Sequence, residues 1–135
     1  MLERRPVPNS IKLELWTKRG APLVALGLDG QKGDAEVVFA GDAIGTTVVT
    51  KHEIDEGGRT QRYLVVLGRV ASIEPGLERG AKRAAGTPLA RAGDALHLEI
   101  RRVQENAKLD ALNAANLDDG AISVLTDPRN VLPVR

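Results

Sequence analysis

Ala95-Leu96-His97-Leu98-Glu99-Ile100-Arg101 alternates residue by residue between apolar and polar side chains, apart from Ala95 itself. Successive side chains on a β-strand point to opposite faces. A period of two therefore puts Leu96, Leu98 and Ile100 on one face and Ala95, His97, Glu99 and Arg101 on the other. The expectation is a half-buried strand, with His97 and Glu99 as exposed polar residues aimed the same way.

The same pattern recurs upstream. Leu13 and Leu15 alternate with Lys12, Glu14 and Trp16, and Ile11 continues the series. Glu36 to Ala40, Thr46 to Lys51 and Arg62 to Val70 are rich in β-branched residues. Pro22 to Leu28 is a short apolar run closing in the turn composition Gly27-Leu28-Asp29-Gly30. Glu53 to Thr60 is polar and contains Gly57-Gly58, which predicts a hairpin loop longer than the minimum. Residues 74 to 94 carry four glycines and two prolines and read as a turn-rich excursion.

Downstream of the alternating strand, residues 103 to 117 lack Gly and Pro, and place Leu109, Leu112 and Ala115 at helical spacing. That predicts one helix, ended by Asp118-Asp119-Gly120, with a last short strand over Ala121 to Leu125. Residues 1 to 9, with Pro6 and Pro8, form an extended lead-in, and residues 10 to 135 form one domain. Asp127-Pro128 begins a closing turn. The fold class is all-β with one added helix.

Composition narrows the function. With 135 residues the chain suits a single domain. Nineteen Lys and Arg against 18 Asp and Glu leave a net charge of +1, and Trp16, Phe39 and Tyr63 are the aromatic residues. A balance so even, with so few rings to stack on bases, argues against a nucleic-acid binder. Without cysteine there is neither a disulfide nor a thiolate metal site. No apolar run approaches the ~20 residues of a membrane helix. Met1-Leu2-Glu3-Arg4-Arg5-Pro6 leads directly into polar sequence, so no signal peptide is read.

His52 and His97 are the two histidines. A catalytic zinc normally takes three protein ligands from His and carboxylates, with water in the fourth position. Asp29, in its Gly-flanked turn, is either a ligand or a turn-former. No G-x-S-x-G elbow, H-E-x-x-H helix or phosphate-cradling loop occurs.

Taken in order, several segments resemble one family. Gly80-x5-Gly86-x2-Leu89-Ala90-x2-Gly93, followed by Ala95-Leu96-His97-Leu98-Glu99-Ile100-Arg101, is similar to the G-x5-G-x2-[IL]-[GA]-x2-G run and H-L-H-F-E-V-R strand of the lysostaphin-type, LytM-like peptidoglycan endopeptidases. Ala25-Leu26-Gly27-Leu28-Asp29 resembles that family's H-x-G-x-D motif, and residues 33 to 47 its G-x-x-V-x-A-x-x-x-G stretch. Val48 to His52 is similar to its V-x-I-x-H strand, Tyr63 to the tyrosine opening its next strand, and Asp127-Pro128 to its closing turn. The likeness runs from about residue 20 to the end.

The resemblance implies an antiparallel β-sandwich of the duplicated-hybrid-motif kind, built on a large sheet, with loops shaping a groove for peptidoglycan cross-bridges. It also implies a zinc held by the His and Asp of the first motif and the second His of H-L-H. Mapped onto this chain, those positions are Ala25, Asp29 and His97, and the assisting His of H-L-H is Ala95. A further family histidine falls at Val65. Asp29 and His97 are then vestigial ligands, with His52, Tyr63 and Glu99 as remaining parts of an ancestral site. Two ligands of three hold zinc weakly, and methyl groups activate no water.

The expectation is a chain with no catalytic residues and no cofactor, its zinc binding lost or weak. Degenerate relatives of this kind activate cell-wall hydrolases or serve as assembly parts of envelope machinery. The partner implied is another protein, with peptidoglycan a further ligand, no nucleic acid, and a periplasmic or extracytoplasmic location. The competing expectations are a zinc endopeptidase whose site is completed by His52 or a partner chain, and a brick of a phage or secretion particle with the helix as its docking element. The glycine run also resembles the hairpin of biotinyl and lipoyl carriers. Their Met-Lys-Met or Asp-Lys turn is missing here.

Overall fold

A computed structural model describes residues 4–6 and 13–127. All its regular elements are strands. They are β1 (Arg4–Pro6), β2 (Leu13–Trp16), β3 (Pro22–Val24), β4 (Gln31–Ala43), β5 (Gly45–Glu56), β6 (Arg59–Gly68), β7 (Ser72–Ile73), β8 (Lys82–Arg83), β9 (Pro88–Arg91), β10 (Ala95–Val103) and β11 (Ser123–Thr126). The main sheet runs β1-β2-β10-β6-β5-β4-β8, and β11 pairs with the second half of β10 alongside β2. A smaller sheet, β3-β9-β7, packs against it, and every pairing is antiparallel.

The long β4-β5-β6 meander carries the architecture. Gly57 and Gly58 both have positive φ (58° and 82°), the conformation a two-residue type I′ turn needs. The strands therefore continue to Glu56 and resume at Arg59, and the longer loop expected over residues 53 to 60 is corrected to a minimal one. Ala43 pairs with Gly45 across an equally tight β4-β5 turn, where the Ile44 N–H donates to Thr47 Oγ1 at 3.0 Å. Within the turn-rich residues 74 to 94, β8 extends the main sheet and β9 joins the smaller one.

Two apolar cores result, one on each face of the main sheet. Between the sheets lie Val37, Val48, Val65, Leu67, Leu98 and Ile100, packed against Ala25, Leu28, Leu89 and Ala90 from the smaller-sheet side. The opposite face offers Val38, Val49, Leu64 and Val66, covered by Leu109, Leu112 and Leu117. Alternation explains the division, since Val65 and Leu67 face one core while Leu64 and Val66 face the other. Burying both faces is what turns β6 into an almost unbroken apolar run.

The covering segment is where the helix was expected, and residues 103 to 117 contain none. They follow the end of β10 as a series of turns. Asn and Asp side chains bond to nearby backbone and so compete with helical hydrogen bonds. Asn113 Oδ1 accepts from the N–H groups of Ala115 (2.8 Å) and Asn116 (3.1 Å), and Asn116 Oδ1 accepts from the Asn113 N–H at 2.7 Å. Two arginines then take carbonyls that a helix would have used. Arg62 donates to those of Gln104, Glu105 and Ala107, and Arg79 to those of Leu109, Asp110 and Leu112. The leucine spacing reflects one side of a looped strap pressed onto the sheet.

Of the lead-in, residues 4 to 6 pair with β2, and the other residues of 1 to 9 lie outside the described ones. The last strand begins two residues later than expected, and the Asp127-Pro128 turn extends past the described residues.

Candidate functional site

His97, Glu99 and Arg101 project from one side of β10 and are all buried, at 6%, 2% and 4% exposure. The expected exposed polar face is corrected: the strap covers it. Glu99 stands opposite Val66 and Arg101 opposite Leu64, and directly opposed residues share a face, so the three belong to the strap-side layer.

Charged groups persist in such a place only when paired. His97 Nε2 donates to Glu99 Oε2 at 2.6 Å, and Arg101 Nη1 donates to Glu99 Oε1 at 3.0 Å. Arg101 then donates to Ser123 twice, from Nε to Oγ at 2.7 Å and from Nη2 to the carbonyl at 3.0 Å. The network thus ties the centre of the sheet to β11. Opposite His97 stands Gly68, where a Cβ would lie 3.0 Å from Ile44. Only a residue without a side chain fits there unless Ile44 shifts.

His52 lies on the other side of the sheet. It is fully buried, with Nε2 2.7 Å from Thr50 Oγ1 and Nδ1 2.7 Å from Gln31 Oε1. Gln31 Oε1 also accepts from the Leu28 N–H at 2.9 Å, which makes it an acceptor toward the ring. Nδ1 therefore carries the proton and Nε2 accepts from the Thr50 hydroxyl. Both ring nitrogens are committed, Nδ1 to the first residue of β4 and Nε2 to β5.

Burial lowers the His52 pKa from 6.5 to about 4. The imidazole is neutral in the folded protein at pH 7 and must take up a proton on unfolding once the pH is below about 6.5. Its contribution is therefore complete above pH 6.5 and is lost as the pH falls toward 4, amounting to about 3 kcal/mol by proton linkage. Urea unfolding at pH 7 and pH 4 should show this loss, and a His52→Gln variant should lose about 3 kcal/mol less than the parent over that range. Equal losses would contradict the buried, neutral ring.

The other positions do not converge. Ala25 is buried in the inter-sheet core, its N–H donating to the Thr87 carbonyl and its carbonyl accepting from the Gly86 N–H. Ala95 begins β10, partly buried and opposite Trp16 of β2. Tyr63 is buried and donates through its hydroxyl to Glu56 Oε2 at 2.9 Å, and burial first, then Glu56, raises its pKa to about 12.

Asp29 is exposed in the β3-β4 turn beside Gly30, whose carbonyl accepts from the Asp55 N–H. Asp55 pairs with Thr60, whereas His97 pairs with Gly68, eight residues further along β6. At ~3.3 Å per residue these levels of the sheet are roughly 26 Å apart. The two residues expected as a vestigial ligand pair are therefore not neighbours, and Asp29 acts as a turn residue ahead of Gly30, whose φ is +76°.

Among the described residues no three His, Asp or Glu side chains gather where they could hold a metal ion, and no buried side-chain nitrogen or oxygen lacks a hydrogen-bond partner. Ala25, Asp29 and His97, the positions expected around a zinc, do not come together as a three-ligand site. The histidines instead belong to two hydrogen-bond networks on opposite faces of the sheet. Arg101 and Ser123 were missed from the sequence, although Arg101 continues the i, i+2 series of His97 and Glu99. Thr50 and Gln31 carried no comparable signal.

No family model and no curated protein matches the chain. Among solved structures, it is similar to a mutant catalytic domain of the prophage-encoded M23 protein EnpA from Enterococcus faecalis. The identity is 19%, the TM-score 0.48, and the match covers 78% of this chain and 84% of that one.

Proposed function

We propose that this chain is a non-catalytic β domain that works by binding another protein. The observation that carries the proposal is the separation of the two imidazoles, each hydrogen-bonded within its own network. His97 is held by Glu99 and, through it, Arg101, while His52 is held by Thr50 and Gln31, on opposite faces of the sheet. Hydrolysis by a zinc-bound water needs an open metal position and a base beside it. Ala25 and Ala95 supply neither, and Asp29 stands far from His97. The LytM-like sequence resemblance then suggests a fold kept after its chemistry was lost, serving in the cell envelope as a hydrolase activator or an assembly component. No helix among the described residues is long and apolar enough to cross a membrane.

Protein purified without chelators, then supplied with zinc and peptidoglycan, is expected to hold substoichiometric metal and release no soluble fragments. One tightly held zinc per chain, together with cleavage abolished by His97→Ala, would overturn the proposal.

A further inference from the structure

β11 has a paired edge and an outer one. Its inner edge is hydrogen-bonded to β10, and among the described residues no strand pairs with the other. Such an edge offers a row of main-chain donors and acceptors, and proteins commonly guard it with Pro, Lys or a bulge. Ser123-Val124-Leu125-Thr126 carries none of these guards. Val124 is instead 42% exposed, one of two large apolar side chains so exposed among the described residues.

Directly opposite Val124 on β10 stands Arg102, also exposed, so an apolar and a cationic side chain share one face. Both line a concave pocket of about 280 Å³ together with Arg59, Arg62 and Glu105. Arg62 is engaged with strap carbonyls, which leaves Arg59 and Arg102 against the one carboxylate of Glu105. That carboxylate is held loosely: Glu105 and Arg59 are 3.5 Å apart, with side chains 81% and 70% exposed. An exposed pair of this kind is worth little, so an incoming carboxylate can exchange with it.

We infer that β11 and the arginine pocket beside it bind an extended acidic segment of a partner protein, which adds to the sheet as a further strand. Main-chain hydrogen bonds along the edge supply a sequence-independent part of the affinity, and alternate side chains supply selectivity. One apolar side chain of the segment covers Val124, and carboxylates two residues away on either side, which share its face, reach toward Arg102. A polynucleotide would satisfy the arginines but has no main-chain amides to complete the edge. The inference deepens the proposed binding function and rests on it, naming the surface and the chemistry of the partner.

The test uses the full chain and a fluorescent, end-blocked peptide that carries Glu, Val and Glu at alternate positions with Thr between them, with Lys in place of Glu in the control, followed by anisotropy. The acidic peptide is expected to bind and the basic one to fail. Arg102→Glu should weaken binding by about tenfold or more, the equivalent of ~1.4 kcal/mol, and Arg102→Lys should retain most of it. Val124→Asp should also weaken it, with unchanged thermal melting showing that each variant is folded. Equal binding of the two peptides, or indifference to Arg102→Glu, would overturn the inference. So would tighter, Arg102-dependent binding of single-stranded DNA, or self-association in sedimentation abolished by Val124→Asp. If the peptide fails while the protein neither holds zinc nor cuts peptidoglycan, this surface is wrong and the non-catalytic reading stands.

Discussion

Arg101→Ala is expected to destabilise the protein by about 3–5 kcal/mol, measured by urea unfolding at pH 7. The guanidinium neutralises Glu99, which is 2% exposed, and donates two hydrogen bonds to Ser123. Its removal leaves a carboxylate under the strap with only part of its compensation. It also frees the Ser123 carbonyl and so loosens β11. A truncated partner in a buried pair costs far more than the net worth of the pair, because the remaining charge cannot reach water. Replacing both residues together, as Glu99→Leu with Arg101→Met, should therefore cost less than Arg101→Ala alone. A loss below about 1 kcal/mol for Arg101→Ala would place that layer in water and contradict the strap-covered face.

Leu112→Ala is expected to cost about 2–5 kcal/mol, with the spread set by how far the strap can collapse into the space left. Leu112 is 1% exposed although it belongs to a segment without regular structure, and it packs in one core with Leu64, Val66, Val49 and Leu109. Its carbonyl is also one that Arg79 holds, so the side chain is both buried and anchored. An exposed neighbour such as Ala111 provides the control, and Ala111→Ser should change stability by less than about 0.5 kcal/mol. Equal effects at the two positions would mean that the strap does not form a second core.

Strands were legible because apolar alternation and β-branched runs mark them, and β4, β5, β6 and β10 all fall where those signals lie. Burial of the second face was not. His97, Glu99 and Arg101 read as a solvated face because polar side chains ordinarily are one, and only the strap and their mutual pairing reverse that. The same strap misled the helical reading. Its leucines are spaced as on a helix, but Asn113 and Asn116 divert the backbone hydrogen bonds and Arg62 and Arg79 arrive from distant parts of the sequence. Partners 30 to 45 residues away leave no local trace. Asp29 shows the limit of motif matching: its spacing from Ala25 suggested a ligand, but the turn before β4 carries it to the far end of the sheet from His97.

Zinc titration of protein labelled with ¹⁵N in its histidines addresses the central claim most directly, because each imidazole nitrogen reports its own partner. Before zinc, His52 should show a protonated Nδ1 and an accepting Nε2, and His97 a protonated Nε2 beside Glu99. One equivalent of zinc should leave both rings unchanged. A metal-bound shift of the His97 resonances at that first equivalent would contradict the account.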